Sequence, residues 1–325
     1  GTYSRLGSRS SFGAKHHQKI QMLRSSAVPR TVAAISTFHP ATGGIPNARR
    51  AFAPRGKVST FQVGSQARKG VVSASSSSSA MKVLPDSDSV ANALAELTAS
   101  AAKDAISAKG AFSVAVAGGS LIKLLQGLRE TEGIEWDKWH VFWVDERCVP
   151  HSDPESNYGG AYEQLFKHVP IPSSQIYPID DSLYSKNEGA SGPSAAAYDK
   201  TLKALPASVL PVVDGLPVFD LLLLGFGPDG HICSLFPNHP LLKVTEPWIL
   251  PIADSPKPPP ERITFSLPVV NAANKKCFVA VGEGKASMVK TIYEEAPQDG
   301  SIPAALVTGN VEWVLDVTAA SHLKK

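Results

Sequence analysis

Apolar residues recur along the chain at two alternating spacings, one typical of helices and one typical of short buried strands. Val90, Leu94, Leu97 and Ala101 lie at helical intervals, and Gly110 marks the end of that helix. Helical and strand-like spacings alternate in this way to the end of the chain. The predicted helices are 90–109, 121–128, 158–166, 195–205, 269–274 and 286–295, and the predicted strands are 112–117, 139–144, 176–179, 219–225, 263–266, 278–281 and 313–317.

The alternation of helix and strand predicts the fold class. The strand at 219–225 is apolar throughout, and such runs belong to parallel sheets that are covered on both faces. No segment repeats another, and the proline-rich stretch 255–260 is a loop rather than a linker between domains. The sequence therefore predicts a single doubly wound, Rossmann-like α/β domain with a mainly parallel sheet over residues 81–325.

Charge divides the 325 residues into two unlike parts. Residues 1–80 contain twelve Lys and Arg, fifteen Ser and no Asp or Glu, whereas residues 81–325 carry a net charge of −9. An Arg- and Ser-rich segment without acids is typical of an organelle transit peptide, and its spaced charges disfavour a nucleic-acid-binding arm. We expect residues 1–80 to be a transit peptide and disordered linker, with a chloroplast-type processing site at 72–74.

The composition of the acidic body excludes several classes of function. Its charge argues against a broad nucleic-acid-binding surface, and no apolar run approaches the roughly 20 residues that cross a bilayer. Cys148, Cys233 and Cys277 are too few and too scattered for a disulfide framework, and they indicate a reducing compartment. We therefore expect neither a nucleic acid nor a membrane as partner.

Polar, glycine-rich segments follow three of the predicted strands. Because ligands of open α/β sheets bind beyond the carboxyl ends of the strands, the three segments together predict a site. In the first, Gly118 and Gly119 precede Ser120, which is placed as the N-cap of the next helix. Their backbone N–H groups can cradle an anion, although a tight turn into the helix explains this segment better when it is taken alone.

The second segment is Asp145, Glu146 and Arg147, directly after the predicted strand 139–144. Arg147 can bind a phosphate with two hydrogen bonds, while Asp145 or Glu146 meets a hydroxyl or pairs with the arginine. A solvated turn with a local ion pair explains the segment equally well. Further along, capping of the next helix explains Asn157 without any ligand.

The third segment, 225–231, matches the GxGxxG pattern of dinucleotide-binding sites. Such a site needs a long helix after the motif, but Pro237 and Pro240 leave room for a short helix at most. His231 beside Asp229 is the stronger candidate, because an imidazole oriented by a carboxylate can take a proton from water near neutral pH. A lone histidine is more often structural, but its place in a loop of small residues at a strand exit favours a functional role.

Four other residues have two interpretations each. Lys285, at a predicted helix start, and Arg262 are either phosphate contacts or ordinary surface cations. Cys148 and Cys233 border the second and third segments, so each is either a reactive thiol or, as we favour, a small buried side chain. No Cys and His spacing predicts a metal site, no serine nucleophile motif is present, and no cofactor is expected.

These segments, taken in order, resemble the 6-phosphogluconolactonases. The resemblance rests on Gly-Gly-Ser at 118–120, Trp-Val-Asp-Glu-Arg at 143–147, Gly-Phe-Gly-Pro-Asp-Gly-His-Ile-Cys-Ser-Leu-Phe-Pro at 225–237 and Gly-Glu-Gly-Lys-Ala at 282–286, and it covers roughly residues 85–320. Related glucosamine-6-phosphate deaminases share Asp-Gly-His but follow it with an Asn-Glu-Pro type of sequence, which is absent here.

The resemblance implies a fold similar to those deaminases and to ribose-phosphate isomerases. It implies hydrolysis of 6-phospho-D-glucono-1,5-lactone to 6-phosphogluconate in the oxidative pentose phosphate pathway, without metal or cofactor. Together with residues 1–80, it implies a form in the plastid stroma, functionally coupled to glucose-6-phosphate dehydrogenase.

The resemblance also assigns roles by position: His231 matches the family's general base, and Arg147 its phosphate-binding arginine. Two residues depart from the family pattern, since Cys233 stands where many members have Ala, and Asn238 stands where Gly is usual in the loop over the sugar. The full set of expected site residues is His231 and Asp229 as catalytic groups, with Gly119, Ser120, Arg147, Lys285, Asp145 and Arg262 as contacts of the substrate and its phosphate.

Three other functions stay open at this point. The first is a deaminase–isomerase acting on glucosamine 6-phosphate, which shares the scaffold. The second is a non-catalytic sugar-phosphate-binding module, although residues 1–80 show no helix-turn-helix pattern of the kind that regulators with such modules carry. The third and weakest is a dinucleotide-dependent oxidoreductase.

Overall fold

The computed structural model describes residues 80–184 and 189–324. The expected transit peptide and its processing site at 72–74 lie outside the described residues. The strands are β1 (Met81–Leu84), β2 (Phe112–Val116), β3 (Trp139–Trp143), β4 (Asp145–Arg147), β5 (Val212–Val213), β6 (Leu216–Pro217), β7 (Leu221–Leu224), β8 (Ile249–Ile252), β9 (Arg262–Phe265), β10 (Lys276–Ala280) and β11 (Val311–Asp316). The α-helices are α1 (Ser87–Lys109), α2 (Ser120–Leu124), α3 (Asn157–Gln164), α4 (Ser191–Lys203), α5 (Leu267–Ala272) and α6 (Ala286–Lys290).

Six strands form a fully parallel sheet in the order β1-β11-β10-β7-β2-β3. Successive side chains of a strand point to opposite faces, so Val114 and Val116 of β2 enter one core while Ala115 enters the other. Helices α1, α2 and α3 cover the first face, and α4, α5 and α6 cover the second. Because both faces are covered, all four leucines of β7 are buried. The predicted doubly wound α/β fold is confirmed.

Helix α1 shows how local sequence sets an element's ends. The side chain of Asp86 accepts a hydrogen bond from the backbone N–H of Ser89 at 2.8 Å and so caps the first turn. Gly110 ends the helix in the left-handed conformation, with φ of 82°. None of the described helices combines the length and the apolar character needed to cross a bilayer.

A second, antiparallel sheet in the order β4-β9-β8 adjoins the large one. Val144 is the single residue between β3 and β4, and it bonds with both sheets. Its N–H donates to the carbonyl of Val116 in β2 at 3.1 Å, and its own carbonyl accepts from the N–H of Phe265 in β9 at 2.8 Å. The chain therefore changes sheets at Val144. The sequence did not predict β4 or β8, and β9 was expected only as one strand of the regular alternation.

Other element predictions were partly wrong. Residues 176–179 form no strand, since only Ile176 makes a single bridge to Val141. The helix expected at 121–128 is α2 followed by a 3₁₀ turn, Leu125–Glu130. The one expected at 286–295 is α6 followed by a π turn, Thr291–Glu295. Ser120 is the first residue of α2 and not its N-cap, a position that Gly119 takes with φ of 73°.

Candidate active site

The three polar segments meet in one cleft beyond the carboxyl ends of β2, β3 and β7. The cleft is open to solvent, and its volume is about 580 Å³ when the space at its mouth is included. Asp229 does not line the cleft itself, but its carboxylate is hydrogen-bonded to His231, which does. The expected site residues that line the cleft directly are Gly119, Ser120, Asp145, Arg147, His231, Arg262 and Lys285.

The imidazole of His231 is held by Asp229. Its Nδ1 lies 2.6 Å from Oδ1 of Asp229, and because an ionised carboxylate only accepts hydrogen bonds, Nδ1 carries the proton. Nε2 is then left as a proton acceptor. Burial lowers the pKa of His231 below its ordinary value, although Asp229 opposes that shift. Burial also opposes ionisation of Asp229, but hydrogen bonds from His231 and Lys257 lower the pKa of that carboxyl to about 2.

The glycines of the GxGxxG pattern make room for this histidine. The N–H of Gly227 donates to the carbonyl of His231 at 2.9 Å, which closes the loop. A Cβ on Gly227 would lie 2.1 Å from the imidazole and 2.4 Å from Oδ1 of Asp229. Gly230 has φ of 79°, a conformation that favours glycine. In this described stretch the next helical turn begins only at Pro240, so the long helix of a dinucleotide site is missing.

Glu146 holds the backbone of neighbouring site residues without lining the cleft itself. It is buried and accepts hydrogen bonds from the backbone N–H groups of Arg147, Asn157 and Tyr158 at 2.7, 2.8 and 2.7 Å. Burial raises the pKa of Glu146 to about 7, against the effect of those three hydrogen bonds. Glu146 therefore ties β4 to the first turn of α3. The side chain of Arg147 pairs with Glu155 and not with Glu146, and Glu146 is not among the residues that line the cleft.

Arg147 forms its ion pair with Glu155. Nη1 donates to the carbonyl of Glu155 at 2.8 Å and to its carboxylate at 3.0 Å. Within the described residues, Nε of Arg147 is buried without a hydrogen-bond partner, so part of the guanidinium is not used by the protein. Arg147 lies opposite Arg262 in the β4–β9 pair, which places two cations at one end of the cleft.

Arg262 is a buried residue, so its interpretation as a surface cation is wrong. Its guanidinium donates to the backbone carbonyls of Lys257, Pro258 and Pro259 at 2.9, 3.1 and 2.9 Å. Burial and the neighbouring Arg147 lower the pKa of Arg262. Most of its donors therefore hold the proline-rich loop.

Asn157 joins the first two segments, a role that the sequence did not reveal. Ser156, whose Oγ accepts from the N–H of Gly159, is the cap of α3, so the capping explanation of Asn157 is wrong. The side chain of Asn157 donates to the carbonyl of Asp145 at 2.9 Å. Its Oδ1 fills the space beside Gly118, where a Cβ would approach it to 1.9 Å. Gly118 is therefore required for this contact between the segments.

Two lysines from distant parts of the chain contact the residues of the site. Nζ of Lys285 donates to the carbonyl of Phe226 at 2.5 Å and lines the cleft, and burial lowers its pKa. Lys257, in the proline-rich loop, places Nζ 3.0 Å from Oδ1 of Asp229 and 3.1 Å from Nδ1 of His231. Sequence reasoning missed Lys257, because no motif links it to a histidine 26 residues earlier.

The two cysteines beside the cleft are poorly placed for thiolate chemistry. Burial raises the pKa of Cys148 to about 12 and raises that of Cys233 as well. This favours the interpretation of both as buried side chains. The other departure, Asn238, adopts φ of 57°, a left-handed conformation that Asn tolerates better than most residues. In the described part of the chain, no three His, Cys, Asp or Glu residues are grouped as metal ligands.

Comparison with known families agrees with this geometry. The model of the glucosamine-6-phosphate isomerases and 6-phosphogluconolactonases matches residues 85–315. The chain therefore belongs to this family.

Its relatives include enzymes of the lactonase branch. The probable 6-phosphogluconolactonase 3, chloroplastic, of Oryza sativa subsp. indica is 45% identical over 244 residues, which cover 72% of this chain and 73% of the rice protein. The three-dimensional structure of 6-phosphogluconolactonase from Trypanosoma brucei superposes with a TM-score of 0.66 at 27% identity, over 76% of this chain and 99% of that one. A monomeric glucosamine-6-phosphate deaminase, at 17% identity and a TM-score of 0.59 over 75% of this chain and 100% of its own, shares the fold.

Proposed function

We propose that this chain is a lactone hydrolase that converts 6-phosphogluconolactone to 6-phosphogluconate in the oxidative pentose phosphate pathway. One observation carries the proposal: a neutral imidazole, oriented by Asp229, lines a cleft that also holds Arg147, Arg262 and Lys285. A base in a cleft lined by three cations fits an ester of a phosphorylated sugar acid. The names of the rice and trypanosomal relatives support the same substrate.

The cationic end of the cleft is assigned to the 6-phosphate. The guanidinium of Arg147 supplies charged donors, and Lys285, which lines the same cleft, supplies an ammonium. No side chain caps the start of α2, so the backbone N–H groups of Gly119 and Ser120 are available to donate to the phosphate. A phosphate held there fixes the ring so that its C1 carbonyl lies toward His231.

Hydrolysis then proceeds through His231. Nε2 takes a proton from water, and the hydroxide oxygen forms a bond to C1 as the carbonyl π electrons move to its oxygen. When the tetrahedral intermediate collapses, the bond from C1 to the ring oxygen breaks, and the imidazolium returns its proton to that leaving oxygen. Such general-base help typically contributes about 10²–10⁴ in rate, a useful factor for a lactone that also opens unaided in water.

A lactonase assay corrected for spontaneous hydrolysis tests the proposal. We expect the wild-type chain and a control variant, His168→Asn at an exposed histidine, to hydrolyse the lactone equally. His231→Asn should retain affinity for 6-phosphogluconate and lose about 10²–10⁴ in kcat, because only the proton acceptor is removed. Ammonia release from glucosamine 6-phosphate without lactone hydrolysis would assign the chain to the deaminase branch instead. An unchanged kcat in His231→Asn would refute the base assignment.

Location forms a second part of the proposal. The chloroplastic relative from rice supports a plastid location, and we place the protein in the stroma, with residues 1–80 as transit peptide and linker and 81–325 as the catalytic domain. There it would consume the lactone that glucose-6-phosphate dehydrogenase releases. Import into isolated chloroplasts of a fluorescent protein fused to residues 1–80 tests this, with the fluorescent protein alone as control. A fusion that stays outside would contradict the targeting assignment.

A further inference from the structure

Among the residues that the structure describes, Lys257 is the one cation within hydrogen-bond distance of the proposed base. Its Nζ donates to Oδ1 of Asp229 at 3.0 Å, the same oxygen that accepts from Nδ1 of His231. It also lies 3.1 Å from Nδ1 itself. The proton transfer proposed above uses only His231 and Asp229 and leaves this third group without a role.

The loop that carries Lys257 is held from inside the protein. Arg262, buried in β9, donates to the carbonyls of Lys257, Pro258 and Pro259. The hydroxyl of Ser255 donates to the carbonyl of Lys257 as well, at 2.8 Å. A surface lysine has no need of such anchoring, because its ammonium interacts with water wherever its backbone lies. These contacts instead fix the backbone from which the Lys257 side chain reaches Asp229.

We propose that Lys257 is a positioning residue for His231: by clamping Asp229 it keeps the imidazole in the Nδ1–H tautomer, with Nε2 free to accept a proton in the cleft. This inference rests on the function proposed above and adds a third member to its proton-transfer group. Arg262 is then the residue that positions Lys257. This role explains the burial of Arg262 without a contact between Arg262 and the phosphate of the substrate.

The clamp has an electrostatic consequence with a definite sign. A cation beside Nδ1 opposes a second proton on the ring, so Lys257 lowers the pKa of His231, an effect smaller than that of burial. Asp229 and Asp145 act in the opposite direction. Removing the Lys257 ammonium should therefore raise the pKa of His231. The charged groups that face the ring or line its cleft are Asp229 from the same loop, Lys257 from the proline-rich loop, Asp145 and Arg147 from β4, Arg262 from β9 and Lys285 before α6.

Lys257→Met tests the inference, with Lys257→Arg as the charge-retaining variant and exposed Lys243→Met as control. The first measurement is an NMR titration of ¹³C-labelled histidines, with the His231 signal assigned by its loss in His231→Asn. We expect its midpoint to move to higher pH in Lys257→Met, to move less in Lys257→Arg, and to stay unchanged in Lys243→Met. The second measurement is lactonase kinetics. We expect kcat to fall about 10-fold in Lys257→Met, part of the ~10²–10⁴ of a positioned base, with little change in KM.

The outcomes separate the inference from its alternatives. A raised KM with unchanged kcat and midpoint would make Lys257 a substrate ligand and overturn the inference. An unchanged midpoint with a lowered melting temperature would make it a structural tether only, with the same consequence. The titration does not depend on turnover. A wild-type chain without lactonase activity would therefore refute the proposed function. The shift in the titration midpoint of His231 would still show whether Lys257 acts on His231. If Lys257→Met does not fold, Lys257→Gln replaces it in both measurements.

Discussion

Gly227→Ala is expected to inactivate the enzyme from a position that carries no functional group. The methyl group would lie 2.1 Å from Cε1 and Nδ1 of His231 and 2.4 Å from Oδ1 of Asp229, whereas ordinary contacts of a Cβ begin at 3.4 Å. Gly227 is absent from the glycines with positive φ, so its backbone accepts alanine. The substitution therefore acts only by steric overlap, and either the methyl group or the imidazole has to move.

The size of the effect follows from that displacement. To restore an ordinary contact, the imidazole has to shift by about 1 Å or more, and a misplacement of about 1 Å at a reacting group can cost roughly 10²-fold in rate. The 2.6 Å hydrogen bond between His231 and Asp229 is disturbed at the same time. Overpacking typically destabilises a fold by about 1–3 kcal/mol, so the variant should remain folded near room temperature. We expect kcat to fall about 100-fold, with affinity for 6-phosphogluconate largely kept.

Steady-state lactonase kinetics, calorimetric binding of 6-phosphogluconate and thermal unfolding measure the three quantities separately. The matched control is Gly192→Ala in α4, where a Cβ would meet nothing within 4 Å, and its kcat should equal that of the wild type. A Gly227→Ala variant with kcat within twofold of the wild type would refute the steric reasoning. A loss of product affinity as large as the loss of kcat would show that the change spreads beyond the base.

Three further outcomes are expected. Arg147→Ala should weaken 6-phosphogluconate binding roughly 10- to 100-fold, since a hydrogen bond to a charged group contributes about 1.5–3 kcal/mol, and an unchanged calorimetric Kd would move the phosphate elsewhere. The acid limb of the kcat/KM profile should have its midpoint below pH 6.5, because burial lowers the pKa of His231 and the base acts only when deprotonated; a midpoint above pH 6.5 would contradict this. Mild hydrogen peroxide should leave activity unchanged, because burial raises the pKa of both Cys148 and Cys233, and a loss that dithiothreitol reverses would show a reactive thiol.

The sheet and the location of the cleft could be predicted from the sequence because both follow from short-range patterns. Apolar runs such as that of β7 identify buried parallel strands, and the carboxyl ends of such strands share one edge of the sheet. That rule brought together the segments of Ser120, Arg147 and His231 without knowledge of any contact, and all three line the cleft.

The contacts that cross between segments could not be predicted in this way. Lys257 reaches His231 because Arg262 anchors a loop between two strands, and no periodicity encodes such a path. Asn157 was assigned to a cap because helix starts favour asparagine, but Ser156 takes that position and frees Asn157 to bind Asp145. The three-residue β4 is also too short for an alternating pattern, and it exists because it pairs with β9.

The change of sheets at Val144 connects the small sheet, which carries Arg147, to the large sheet, from which the loop of His231 extends. Arg147 belongs to the small sheet, while the loop of His231 follows β7 at the centre of the large one, and Val144 bonds with both sheets. If Arg147 holds the phosphate as proposed, the distance from that phosphate to His231 depends on these backbone hydrogen bonds as well as on the side chains. We then expect a sugar lactone one carbon shorter to bind through its phosphate but to be hydrolysed more slowly, because its carbonyl would lie farther from the imidazole. Substitutions on the walls of the cleft should leave this preference for substrate length in place.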